Sequence, residues 1–184
     1  MYYTRIHGHF NFEFLYDEVV NKFDSGATFV EIGAYLGKST CYLSERILAS
    51  KKSFKFYVID NWIGHPSDVN LAKEIKELGG DVYDKFESNM KSAGVFNILN
   101  TIRGDSSESA DRFSDNSVDF VFIDAAHDRD SVKKDISAWL PKVKKGGILA
   151  GHDYGNKETA VKEVVDEFFG DRVKVIDNTW ILYL

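Results

Sequence analysis

Short apolar runs rich in β-branched and aromatic residues recur along this chain, each followed by a longer amphipathic stretch. That alternation restricts the fold more than any other feature. Strands separated by helix-length connections pair in parallel, and the connecting helices cover the sheet. Five such runs stand out: Thr28–Gly33, Phe54–Asp60, Asn97–Arg103, Val118–Asp124 and Gly147–Gly151. Val118–Asp124 (VDFVFID) is nearly unbroken, as a strand buried on both faces requires.

Helical spacing of apolar residues predicts helices over 10–23, 38–49, 69–78, 81–92, 107–113, 131–140 and 157–169. Ser106 or Ser107 is expected to cap the 107–113 helix. Pro141 and Gly170 supply stops. Val173–Ile176 and Trp180–Leu184 are separated by Asp177-Asn178-Thr179, too short for a crossover, so they must pair antiparallel. The expected fold is α/β: a Rossmann-like three-layer αβα sandwich on a mostly parallel seven-stranded sheet with an antiparallel C-terminal hairpin. The 184 residues read as one domain, 1–184, with 1–26 as an N-terminal helix and lid segment.

Charge excludes one class of partner. Asp and Glu number 29 against 23 Lys and Arg, for a net charge of -6. The lysine pairs 51–52, 133–134 and 144–145 are scattered and form no basic stripe, so nucleic acid is not expected as a partner. No run reaches the ~20 apolar residues that cross a bilayer. The single cysteine, Cys41, precludes an intramolecular disulfide and reads as core. Residues 1–10 lack the apolar stretch of a signal peptide. A cytoplasmic protein, free of membrane, is the expectation.

In an open sheet of this kind, ligands sit beyond the carboxyl ends of the strands. The polar residues of this chain gather there. Glu31-Ile32-Gly33-Ala34-Tyr35-Leu36-Gly37-Lys38-Ser39-Thr40 follows the first strand. It has three residues between glycines where a phosphate-binding P-loop has four, and Tyr35 stands where a dinucleotide fingerprint has glycine. A turn of this form, led by an acid, suits a cationic ligand without phosphate. Asp60 ends the second strand and could accept two ribose hydroxyls. Asp105 and Ser106 follow the third strand and could meet a base edge.

Asp124 ends the predicted central strand, where a carboxylate must be paired, hydrated or bound to a cation. His127 lies three residues on, within reach as ligand or base. His152 and Asp153 end the neighbouring strand. Asp124, His152 and Asp153 together could hold Mg²⁺ or another divalent metal. His7, His9 and His65 receive no role. The expected lid is 61–80 with the N-terminal aromatics Tyr2, Tyr3, Phe10, Phe12 and Phe14.

With these residues the chain resembles the class I S-adenosylmethionine-dependent methyltransferases, and within them the small-molecule O-methyltransferases of catechol and macrolide-sugar type. The resemblance runs from about Phe29 to Phe169, through FVEIGAYLGKST, FYVIDNW, VDFVFIDAAHDRDSVKKDI and GGILAGHDY. It implies that Glu31, Gly33 and Gly37, with Tyr35 and Ser39, line the methionine part of S-adenosylmethionine. Asp60 and Asn61 would hold its ribose and Asp105 and Ser106 its adenine, with Asp124 beside the cofactor. Metal-dependent members use an Asp at the Asp124 position and a pair after the fifth strand. Here that pair is His152-Asp153, and the histidine departs from the usual acid. Asp124, His127, His152 and Asp153 are the catalytic candidates. The implied acceptor is a small molecule, a sugar or natural-product hydroxyl, and homo-oligomer formation is left open. A nicotinamide-cofactor oxidoreductase and a non-catalytic cofactor-binding module are the competing readings.

Overall fold

The apolar runs form the strands β1 Thr28–Ile32, β2 Lys55–Asp60, β3 Leu99–Arg103, β4 Val118–Ile123 and β5 Val143–Gly151. The terminal pair is β6 Lys174–Ile176 and β7 Thr179–Tyr183. A computed structural model describes residues 1–155 and 160–184 of the chain. Its sheet runs in the order β3-β2-β1-β4-β5-β7-β6. The first five strands pair in parallel, whereas β7 lies antiparallel to both β5 and β6.

Helices α1 Glu13–Lys22, α2 Lys38–Ser50, α3 Val69–Glu77, α4 Tyr83–Ser92, α5 Ser106–Ser109, α6 Arg129–Trp139 and α7 Val161–Phe169 cover it. Alternation along β4 splits the core into two layers. Phe120 and Phe122 pack with Leu15, Tyr16, Leu43, Trp62 and Phe86. Val121 and Ile123 pack with Ile136, Trp139, Val164 and Phe169 on the other face. Each fully buried side chain of this size contributes roughly 1.5–3 kcal/mol.

Element ends differ from the expected bounds where side chains cap the backbone. Asp105, and not Ser106 or Ser107, caps the helix after β3, accepting from the Glu108 amide at 3.0 Å. Asp128 caps α6 through the Ser131 amide and starts that helix two residues early. The first residues of the expected third strand form a 3-10 turn, Phe96–Ile98. Lys157 to Thr159, expected as helix, lie outside the described residues, and α7 begins at Val161.

The N-terminal segment borders the cleft through His7, Gly8, His9 and Phe12, while most of its aromatics pack inward. Tyr2, Tyr3, Phe10 and Phe14 pack on the core, with Tyr3 and Phe10 against Tyr42. Phe12 is fully buried, its ring tilted against Phe122 with centroids 4.4 Å apart. Among the described residues, no helix is long and apolar enough to cross a membrane.

Glu31 is also placed differently from expectation. Its side chain points into the layer between β1, α1 and α2, 1% exposed. It accepts hydrogen bonds from the Tyr16 hydroxyl at 2.7 Å and from Thr40 Oγ1. Burial raises its carboxyl from 4.5 to about 7, although those hydroxyls pull the other way. Between these values the folded chain keeps a proton that the unfolded chain has released. Stability from this group therefore falls as pH rises through the window and is level above it. Glu31→Gln removes the titration. Against wild type it should gain up to about 3 kcal/mol in relative stability across that window. Urea unfolding at steps from pH 4.5 to 7 checks this, and parallel curves for the two proteins would contradict it.

Candidate active site

A cleft of about 1240 Å³ opens over the carboxyl ends of β1 to β5. Its position follows from how the strand ends are tied. The Asp124 amide donates to the Ile32 carbonyl at 2.8 Å, the Gly33 amide to Ile59 at 2.9 Å, and the Gly104 amide to Asp60 at 3.0 Å. Gly33 sits at φ 85°, and a Cβ there would stand 1.8 Å from the Asp124 carbonyl oxygen. No side chain fits that approach. Gly37 is also left-handed, but it faces Phe86 and Met90 of α4. Neither Gly37 nor Glu31 lies on the cleft wall. The expectation that they line a ligand is corrected accordingly: one is packed against α4, the other tied inside the core.

Asp60 does line the cleft, but its carboxylate is largely committed. Oδ2 accepts from the Ala34 and Tyr35 amides at 2.7 and 2.9 Å, and Oδ1 from Trp62 at 2.7 Å. A carboxylate offers about four acceptor sites. Three are taken by backbone amides, which leaves about one acceptor site for a ligand hydroxyl. It serves first as the strut of the β1–α2 turn. Loss of solvent raises its carboxyl, against the pull of those amides. Asn61 is spent similarly, accepting from Ile63 and Gly64 and donating to the Gly64 carbonyl.

At the end of β3, Asp105 and Ser106 line the cleft. Asp105 is held below the usual carboxylate range by the Glu108 amide and the Ser107 hydroxyl. Ser106 Oγ donates to Asp135 Oδ1 at 2.6 Å. Asp135, 4% exposed, also borders the cleft. Burial lifts its carboxyl to about 7. Asp135 received no role from sequence, yet a signal was present: with Val132, Ile136 and Trp139 it shares the core-facing stripe of α6.

Asp124, His127, His152 and Asp153 come together at the ends of β4 and β5. His127 Nε2 lies 3.0 Å from Asp153 Oδ2 and 3.6 Å from Asp124 Oδ1, but is aligned for a hydrogen bond with neither. Burial would depress this imidazole; the two carboxylates outweigh it and raise it to about 10. Asp153 is driven well below the usual range, the two histidines overcoming its own burial. It holds a left-handed φ of 60°. Buried His152 donates from Nε2 to Asn11 Oδ1 at 2.8 Å, which leaves Nδ1 facing Asp153 at 3.4 Å. One donor atom from each of Asp124, His152 and Asp153 falls within 4.8 Å of the others.

The rim holds the unassigned histidines. His7 pairs with Glu74 at 2.8 Å, and His65 with Ser67 and Asp128 at 2.7 and 3.5 Å. His7, His9 and His65 all border the cleft, as do Gly33, Tyr35 and Ser39. Asn11, Glu74 and Asp128 had no motif to mark them as partners of His152, His7 and His65, because those contacts join segments far apart in sequence.

Against known proteins, a family model described as a methyltransferase domain matches residues 30–154. The uncharacterized protein y4gI of Sinorhizobium fredii (strain NBRC 101917 / NGR234) is 24% identical over 124 residues, 67% of this chain. The chain spans 13% of that protein's length. Among solved structures, the O-methyltransferase NovP superposes with TM-score 0.73 at 16% identity, covering 93% of this chain and 78% of NovP. The calicheamicin methyltransferase CalS11 gives 0.63 at 15% identity, covering 93% and 76%. An rRNA methylase from Streptococcus thermophilus gives 0.58 at 15%, covering 92% and 93%. At these identities the superpositions establish a shared fold.

The strut role of Asp60 has a measurable consequence. Asp60→Ala strands three amides and should cost about 2 kcal/mol of stability without any ligand. For a chain of this size that lowers the melting temperature by roughly 4–8 °C. An unchanged melting temperature with weakened ligand binding would restore the simpler role of a ribose ligand.

Proposed function

From the fact that this chain belongs to the methyltransferase-domain family, we infer that it takes S-adenosylmethionine in the cleft and passes the methyl group to a hydroxyl oxygen of a small acceptor. The observation that carries this reading is the charge of the cleft. Among the described residues, eight acidic side chains line it, against two lysines and five histidines. S-adenosylmethionine supplies a methyl carbon activated on a sulfonium, so its reactive end is cationic and carries no phosphate. An acidic wall favours such a ligand and repels pyrophosphate. The same wall, with the net charge of -6, weighs against an RNA substrate despite the rRNA methylase fold relative.

The protein's share of an in-line transfer is positioning. Gly33 and the Asp60-braced turn shape the cofactor side of the cleft. Asp124, His127 and Asp153 line the cleft and are the groups we assign to meet an acceptor hydroxyl. His127, paired with two carboxylates, is an imidazolium at neutral pH and in that state donates a proton rather than taking one. Its Nε2 can accept the hydroxyl proton only when those carboxylates are satisfied by another cation.

Asp124, His152 and Asp153 fit such a cation. Their donor atoms converge, and Asn11 fixes the His152 tautomer with Nδ1 turned toward the carboxylates. A divalent ion there would act as a Lewis acid on the acceptor oxygen. An imidazole in the donor set favours Fe²⁺, Ni²⁺ or Zn²⁺ over Mg²⁺. The fold neighbour CalS11, a TDP-rhamnose 3'-O-methyltransferase of calicheamicin biosynthesis, supports a sugar hydroxyl as the acceptor.

Calorimetry with S-adenosylhomocysteine and methyl transfer from labelled S-adenosylmethionine to a panel of sugar and phenolic hydroxyls test the reading. Asp153→Asn should lower turnover about 100-fold and change S-adenosylhomocysteine affinity less than about threefold. Equal losses in both would move Asp153 from chemistry to cofactor binding. No binding of S-adenosylhomocysteine at millimolar concentration would end the reading.

A further inference from the structure

His127 meets acids on two sides, and the chemistry above uses only one of them. Its Nε2 faces Asp153 and Asp124. Its Nδ1 faces Oδ2 of Asp68 at 3.9 Å. Asp68 stands at the start of α3, and both side chains line the cleft. The two oxygens of Asp68 are divided. Oδ1 caps α3, accepting from the Leu71 amide at 2.9 Å. A cap needs one oxygen, and Ser, Thr or Asn supplies it as well as Asp. The second oxygen, turned to the imidazole, is surplus to the helix. Neighbouring bonds hold both partners in place. Ser67 Oγ donates to Asp128 Oδ2 at 3.0 Å, which ties the residue before Asp68 to the residue after His127. The Asp68 amide donates to the His65 carbonyl at 3.1 Å, and the Ala160 amide to the His127 carbonyl at 3.0 Å. A separation of 3.9 Å is that of an ion pair, and catalytic hydrogen bonds are often this long before a ligand tightens them.

We propose that Asp68 is a positioning residue: from the start of α3 it keeps a proton on His127 Nδ1, so that Nε2 is the nitrogen left to meet the acceptor hydroxyl. This rests on the methyl-transfer reading above. A neutral imidazole carries one N–H, and the stronger acceptor decides which nitrogen holds it. Asp124 and Asp153 both lie on the Nε2 side and draw the proton there, where it blocks a base. Asp68 lies on the opposite side and draws it to Nδ1. With the proton at Nδ1, Nε2 takes the hydroxyl proton while the oxygen bonds the methyl carbon and the carbon–sulfur pair stays on sulfur. An acid behind the far nitrogen of a general-base histidine is a recurrent way to fix its tautomer and orientation. Here that acid belongs to the 61–80 segment, so the base is complete only with α3 seated against the connection between β4 and α6. A helix cap alone accounts for Oδ1 and gives no reason for Oδ2 to face the ring.

Long-range ¹H–¹⁵N spectra of histidine-labelled protein, alone and with S-adenosylhomocysteine, test this without an acceptor, and His127→Gln assigns the signals. Wild type should show a slowly exchanging proton on His127 Nδ1. Asp68→Ser keeps the cap and removes the second oxygen; it should lose that signal and leave the melting temperature and S-adenosylhomocysteine affinity unchanged. Asp68→Asn, with its one oxygen spent on the cap, turns an amide donor to Nδ1 and should move the proton to Nε2; it carries the comparison if Asp68→Ser fails to fold. On any hydroxyl compound that wild type methylates, both variants should lower kcat about 10- to 100-fold and change KM for S-adenosylmethionine less than about threefold. In a His127→Ala background Asp68→Ser should cost less than about threefold, because Asp68 acts through that ring. No Nδ1 proton in wild type, its survival in Asp68→Ser, or a full loss of kcat that persists without His127 overturns the proposal and leaves the methyl-transfer reading standing. If wild type binds no S-adenosylhomocysteine, that reading falls and takes this proposal with it.

Discussion

The approach of Gly33 to the carbonyl of Asp124 is the contact on which the rest of the site is registered. It lets the ends of β1 and β4 lie side by side without a side chain between them. The turn after β1 can then fold back over β2, where Asp60 collects two of its amides. The same contact fixes where the chain leaves β4, and so where Asp124 and His127 face. Backbone sterics in one place thus set both the cofactor side and the reactive side of the cleft.

Three acids in and around this scaffold have become parts of the frame. Glu31 ties α1 and α2 to β1, Asp60 braces a turn, and Asp135 joins α6 to the end of β3. Each is pushed upward by loss of solvent and held by hydroxyl or amide donors. Asp153 goes the opposite way because its neighbours are imidazoles that take up charge. The difference between a structural acid and a reactive one here is the kind of donor that meets it. Hydroxyls and amides settle a carboxylate, whereas ionisable rings leave a charge balance that a ligand can alter.

The strand and helix order was readable because parallel pairing needs apolar runs at helix-length spacing, and the pattern VDFVFID admits few other structures. The grouping of Asp124, His127, His152 and Asp153 was readable for the same reason: each sits just past a strand that the pattern had already placed. What could not be read was direction. Glu31 and Asp60 occupy strand positions that point to either face or sit at a turn, and the identity of their donors depends on Tyr16, Thr40 and the Ala34–Tyr35 backbone. Asn11 meets His152 across 141 residues, a separation at which spacing carries no information. The aromatic N-terminal segment looked like a lid because its residues are large and apolar. Those same properties pack Tyr2, Tyr3, Phe10 and Phe14 on the core, while His7, Gly8, His9 and Phe12 stay at the cleft.

The order of strands across the sheet bears on how the molecule is made. β7 is the last of the seven to leave the ribosome, yet it lies inside the sheet, between β5 and β6. Until it inserts, the outer edge of β5 presents unpaired amides and carbonyls next to the segment that carries His152 and Asp153. A nascent chain with six strands therefore exposes a sticky margin where its chemistry will later reside. Vectorial synthesis completes this part of the sheet after the others, and the β5 edge stays open until β7 has been made.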